Sequence, residues 1–132
     1  MSLKRNDIVR YRLSRARESL EEARLLANME HWNASVNRLY YACFYAVSSR
    51  LIQHNLSSSK HTGVRALFNL HFVKPGKISH SIARTYHDLF ERRQEGDYGD
   101  YATFSPVDVN AWITEADLFV TALTEFIDKY SD

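Results

Sequence analysis

The chain has 132 residues, with 17 Lys or Arg against 16 Asp or Glu and 45% hydrophobic side chains. That is long enough for one hydrophobic core and too apolar for a disordered tail, so a single domain over residues 1–132 is expected. No apolar run approaches the roughly 20 residues of a membrane helix, and the opening MSLKRNDIVRYRL lacks an apolar signal-peptide segment, so a cytoplasmic protein that engages no membrane is predicted.

The first helix is predicted from about Asp7 to Asn28, with Asn6 or Asp7 as its cap. Val9, Leu13, Ala16, Leu20, Ala23 and Ala27 recur in steps of three and four and form one apolar stripe. The second runs from Trp32 to about His54. Its section LYYACFYAV is apolar nearly all round, which predicts cover on more than one face, from a neighbouring helix and from a partner subunit. Cys43 lies in this section; as the single cysteine it excludes an intrachain disulfide and reads as a small core residue. The serine-rich HNLSSSKHTG is a loop before a short third helix carrying Val64, Leu67 and Phe68, and Pro75 and Gly76 then break the pattern. A fourth helix is predicted from Ser79 to about Glu95, ended by Gly96 and Gly99 in left-handed conformation. The fifth has the clearest start: Ser105 as cap, Pro106 in the first position and Asp108 in the first turn. With no strand signal, the fold predicted is all-α, an up-down bundle of four long helices plus a short one.

Charge is unevenly spread. From His31 to His87 there is no Asp or Glu, while Arg38, Arg50, Lys60, Arg65, Lys74, Lys77, Arg84 and all six histidines lie there. Such a block either attracts an anion such as phosphate or is neutralised by acids on neighbouring helices. The histidine spacings fit no metal motif: Glu-x-x-His and His-Glu-x-x-His are both absent. Glycine-rich phosphate loops and the Gly-x-Ser-x-Gly elbow are absent too. No metal and no cofactor is expected.

Two groups of residues remain. Arg38, Tyr41 and Tyr45 share a face of the second helix. Arg92 and Arg93 lie near the end of the fourth, followed by Asp97, Tyr98 and Tyr101 in FERRQEGDYGDY. Arginine forks match phosphate oxygens, and tyrosines stack on bases or donate hydrogen bonds. The structural alternative is an Arg38 salt-bridged to Glu95 or Asp97, with the tyrosines as core.

The segments NRLYYACFYAVSSRLI, SSSKHTGVRALFNLHFVKPGK and LFERRQEGDYGDY, in this order, resemble the HEPN-domain family of prokaryotic helical proteins over roughly Arg5 to Tyr130. The resemblance implies an up-down bundle that usually dimerises. It also implies a frequent pairing with a minimal nucleotidyltransferase in a toxin–antitoxin arrangement, and an RNA- or nucleotide-related role. Ribonuclease members of that family carry Arg-x4–6-His at the end of the fourth helix. Here Arg93 matches the arginine, Tyr98 stands in the histidine's place, and no histidine follows His87. Tyrosine, with a pKa near ~10 against ~6.5 for histidine, is a poor base at neutral pH. The expected function is therefore nucleotide or RNA binding by a homodimer, non-catalytic or weakly catalytic. Arg38, Tyr41, Arg92, Arg93, Asp97 and Tyr98 are its candidate ligand residues. The alternatives are a metal-independent ribonuclease toxin using Arg93 and Tyr98 with Asp97 or His61, and a helical subunit that only binds a protein partner.

Overall fold

In the computed structural model, residues 3–99 and 103–130 are described; the side chains of Leu3 and Tyr98 are not. The helices are α1 (Leu3–Asn28), α2 (Trp32–Gln53), α3 (His61–Phe68), α4 (His80–Tyr98) and α5 (Pro106–Lys129). A single π-helical turn, Asn69–Val73, continues α3. There is no strand among the described residues.

Cross-helix contacts give the directions. Ser35 Oγ donates to Ala23 O at 2.8 Å and Ser49 Oγ to Val9 O at 3.1 Å, so α1 and α2 are antiparallel. Asn37 meets Asp97 and Tyr41 meets Arg93, which sets α4 antiparallel to α2. Arg10 pairs with Asp128 and Arg24 with Asp117, which sets α5 antiparallel to α1. The result is the expected up-down bundle of four long helices and one short one.

The core stripe of α1 is the one that the periodicity predicts, and α5 adds a second. Val9, Leu13, Ala16, Leu20, Ala23 and Ala27 are all buried, as are Val109, Ala116, Phe119, Val120, Leu123 and Ile127. Burying a side chain such as Phe119 or Leu89 stabilises the fold by roughly 1.5–3 kcal/mol. The all-round apolar character of α2 is met in large part inside one chain, with Tyr41, Phe44 and Tyr45 left partly accessible. Leu39, Ala42, Cys43, Ala46 and Val47 are fully buried, because α1, α4 and α5 all pack on α2. Burial also pushes the Cys43 thiol up, which keeps it protonated and inert.

Helix ends depart from expectation at three points. The first helix begins a turn early, at Leu3, so Asn6 and Asp7 lie inside it and cap nothing; no breaker precedes them. Gly96 does not end α4; the helix passes through it to Gly99, whose φ of −86° is extended, not left-handed. A Cβ at Gly96 would stand 2.9 Å from the Phe104 ring, so this glycine serves close packing. Left-handed residues occur instead at Glu30 (φ 63°) and Asn55 (φ 61°). Each closes a Schellman turn: Glu30 N–H donates to Ala27 O and His31 N–H to Leu26 O, and likewise Asn55 to Ile52 O and Leu56 to Leu51 O. The starts of α4 and α5 match the prediction, with Ser79 Oγ accepting from Ile82 N–H and Ser105 Oγ from Asp108 N–H. No described helix is long and apolar enough to cross a membrane.

Candidate nucleic-acid site

The site is built on Tyr41, midway along the central helix. One turn N-terminal to it on α2, Arg38 lays its guanidinium 4.7 Å from the Tyr41 ring centroid. From α4, Arg93 sits 5.4 Å from the same ring and 5.2 Å from that of Tyr40, with Nη2 donating to the Tyr41 hydroxyl at 3.5 Å. Two cations therefore share one aromatic platform, which attracts each through the ring's negative face.

Asp97 holds the Arg93 arm. Its Oδ2 lies 3.3 Å from Arg93 Nε, one helical turn away, and accepts from Asn37 Nδ2 at 3.0 Å. The Arg93–Asp97 contact is an ion pair without hydrogen-bond alignment, so Arg93 Nε–H has no acceptor; nor has Arg38 Nε–H. Arg38 meets a different carboxylate from those expected: its Nη1 is 3.6 Å from Glu22 Oε1 on α1, and its link to Glu95 or Asp97 does not form. Tyr41 and Tyr45 do share a face, 6.2 Å apart, as the spacing predicts.

The fifth residue of the SSSKHTG stretch completes the cluster. His61, the first residue of α3, stacks on Phe44 at 4.5 Å, meets the Tyr41 ring edge-on at 5.7 Å and bonds through Nδ1 to the Tyr40 hydroxyl at 2.7 Å. Burial, and secondarily the positive Arg93, lower the His61 pKa below its ordinary 6.5, so its imidazole is neutral at pH 7. Burial holds the Tyr40 phenol well above its ordinary 10. Tyr40 is fully buried and joins His61 to Arg93, a role that its place in an apolar run conceals. Asn37, Glu22 and Phe44 carry no signal in the sequence by themselves; only the face shared by residues 37, 41 and 44 points to two of them.

Arg92 goes elsewhere. Its guanidinium lies 4.0 Å from the Trp112 ring on α5, with Asp88 at 3.8 Å. Adjacent helical residues point about 100° apart, so the double arginine serves two faces of α4, and only Arg93 reaches the Tyr41 cluster. Tyr98 ends α4, but its side chain, like the whole of Tyr101, lies outside the described residues. Among the described residues no group of three His, Cys, Asp or Glu gathers as metal ligands.

Comparison with known proteins agrees with this architecture. The HEPN domain pattern matches residues 9–126. A "UPF0332 protein" of Thermotoga maritima is 44% identical over 121 residues, covering 92% of both chains. A second, from Gloeobacter violaceus, is 35% identical over 87% of this chain and 92% of its own. A Methanocaldococcus jannaschii protein named "Putative toxin" is 34% identical over 86% of this chain and 84% of its own. With a five-helix bundle and a matching pattern over nearly its whole length, the chain belongs to the HEPN domain family.

Proposed function

We propose that this HEPN protein binds RNA through the phosphate backbone at the Tyr41 cluster, as a homodimer and as the toxin-like member of a pair with a minimal nucleotidyltransferase. The observation that carries the binding reading is the convergence of Arg38 and Arg93 on one tyrosine ring, which brings two guanidinium charges side by side. A guanidinium offers five N–H donors in a rigid fork. Asp97 and Asn37 orient the Arg93 arm, and its remaining donors suit a phosphate oxygen. The toxin-like role follows the names of relatives, and the dimer and its partner follow the family resemblance. Within the apolar stretch of α2, Tyr41, Phe44 and Tyr45 are only partly buried, which leaves part of it for a second subunit to cover. Light scattering at micromolar concentration giving a monomer mass removes the dimer.

The test of binding is RNA affinity across a salt series for the parent and for Arg93→Ala. The variant should bind about tenfold or more weakly, as a charge-assisted hydrogen bond contributes about 1.5–3 kcal/mol. Its salt dependence should flatten by about 0.7 for each phosphate no longer neutralised. Unchanged affinity and slope overturn the reading.

One observation favours a second reading, metal-independent cleavage: His61 stands beside the Arg93 arm and is neutral at pH 7. In the tautomer whose Nδ1–H donates to the Tyr40 oxygen, Nε2 carries the lone pair. It would take the proton of a ribose 2′-hydroxyl, whose oxygen attacks the adjacent phosphorus. Arg93 would stabilise the charge on phosphorus, and the 5′-oxygen would leave with a proton from water. Products would end in a 2′,3′-cyclic phosphate and a 5′-hydroxyl. Cleavage abolished by His61→Gln and Arg93→Ala, and indifferent to chelator, supports this reading. An RNA bound but left intact rejects it.

A further inference from the structure

Beside the Tyr41 cluster, the α1–α2 face carries a regular series of cations. Arg15 of α1 lies 5.3 Å over the Tyr45 ring and donates to its hydroxyl at 3.4 Å. One turn on, Arg12 donates to Ser48 Oγ, and two turns further Arg5 reaches Asn55 Oδ1 at 3.5 Å. On α1, positions 5, 8, 12 and 15 follow the three-and-four spacing of one face, as do 41, 45, 48 and 52 on α2, with Asn55 just past its end. Arg15 and Arg12 thus meet neutral polar side chains of α2, Arg15 pairing as well with Glu18 on its own helix, and Arg5 meets Asn55 just beyond the end of α2.

The series ends in a groove of about 380 Å³. Lys4, Arg5 and Arg12 form one wall, Asn55 and Ser57 the other, over an aliphatic floor, with no carboxylate among the lining residues. The left-handed turn at Asn55 presents this wall by reversing the chain at the end of α2. Arginines 10, 15, 17, 24, 38, 65, 92 and 93 each meet a carboxylate, whereas Arg12 is bound to a serine hydroxyl. A neutral acceptor leaves its positive charge uncompensated, and an exposed Lys4 beside it adds a second.

We infer that the α1–α2 groove is a second phosphate-binding subsite for one RNA strand, which runs along this face from the Tyr41 cluster to Lys4 and Arg12. This rests on the RNA reading above and deepens it. From Tyr41 to Asn55 is 14 residues, or about 21 Å at 1.5 Å per residue. At a stacked spacing of about 3.4 Å this spans about six nucleotides. The strand is single, because bases must be free to stack on the outer plane of a guanidinium such as Arg15.

The experiment compares a trinucleotide with a dodecanucleotide of unpaired RNA, titrated over a salt series against the parent, Arg93→Ala and the double variant Lys4→Ala/Arg12→Ala. The groove variant should weaken the dodecamer at least tenfold and flatten its salt slope by about 1.4, or 0.7 for each of two phosphates no longer neutralised. It should leave the trinucleotide unaffected, while Arg93→Ala weakens both. Arg12→Lys should restore part of the dodecamer affinity, which a merely structural Arg12 would not allow. If the double variant melts early, Lys4→Ala alone, at an exposed position, carries the test. A dodecamer bound equally well by parent and groove variants overturns the groove and leaves the Tyr41 site standing. Weakening only in the groove variants overturns the Tyr41 site and leaves the groove. A parent that binds neither RNA overturns both.

Discussion

Replacing Arg93 by alanine separates a ligand-binding arm from a structural clamp, and the geometry sets the expected cost. The ion pair with Asp97 is an i,i+4 contact with side chains 15% and 26% accessible, and contributes about 0.3–0.5 kcal/mol. Two cation–aromatic contacts, at 5.2 and 5.4 Å, add about 0.5–1 kcal/mol each. The 3.5 Å bond to Tyr41 is too long to add much. The total is about 1.5–2.5 kcal/mol. Removing one partner of a fully buried pair would cost about 3–5 kcal/mol. That figure does not apply, because Asp97 stays in reach of water and keeps the Asn37 amide at 3.0 Å. For a chain of this size, melting should fall by about 5–9 °C. Chemical denaturation followed by circular dichroism gives the free energy, with Arg93→Met as a control that keeps the stem over Tyr40 and should be destabilised less. A destabilisation above about 4 kcal/mol would mean that Arg93 is a buried clamp. One below about 0.5 kcal/mol would mean that the aromatic contacts carry no energy.

Three other expectations can be checked independently. His54, His61 and His87 all have pKa values lowered from 6.5, each first by burial and then by neighbouring cations. The folded state therefore binds fewer protons than the unfolded one, so stability is complete above pH 6.5 and is lost as pH falls through the folded-state values; melting temperatures that do not drop between pH 7 and 5 would contradict this. Glu30→Gly relieves a left-handed non-glycine residue at an exposed turn and should stabilise the protein by about 0.5–1 kcal/mol, after the extra unfolded-state entropy of glycine is subtracted from a strain of about 1–2 kcal/mol; a destabilised variant in urea unfolding would refute the strain. Gly63→Ala places a Cβ 2.1 Å from Ser58 Oγ and 2.9 Å from its Cβ, so it should destabilise by about 1–3 kcal/mol despite the better helix propensity of alanine, and Ser58→Gly in the same chain should relieve the clash; a stabilised single variant would show that the serine loop yields.

Local order was written plainly in the chain. A three-and-four apolar period named the buried face of α1, and Ser79, Ser105 and Pro106 marked two helix starts, because caps and amphipathic stripes depend on residues within one or two turns. The shared face of Arg38, Tyr41 and Tyr45 followed from the same arithmetic. What lies across from a face does not. Arg38 found Glu22 on α1 where a partner on α4 was expected, because the α1–α2 hairpin brings that carboxylate to it. Arg92 and Arg93 were adjacent in the chain yet divided between Trp112 and Tyr41, since a helix turns about 100° per residue and different helices flank its two sides. Gly96 looked like a stop and became a packing contact because Phe104 closes over it. The meeting of His61 with Tyr40 and Arg93 spans three helices and more than fifty residues. No local spacing encodes such a meeting; it exists only once α3 is docked on the central helix.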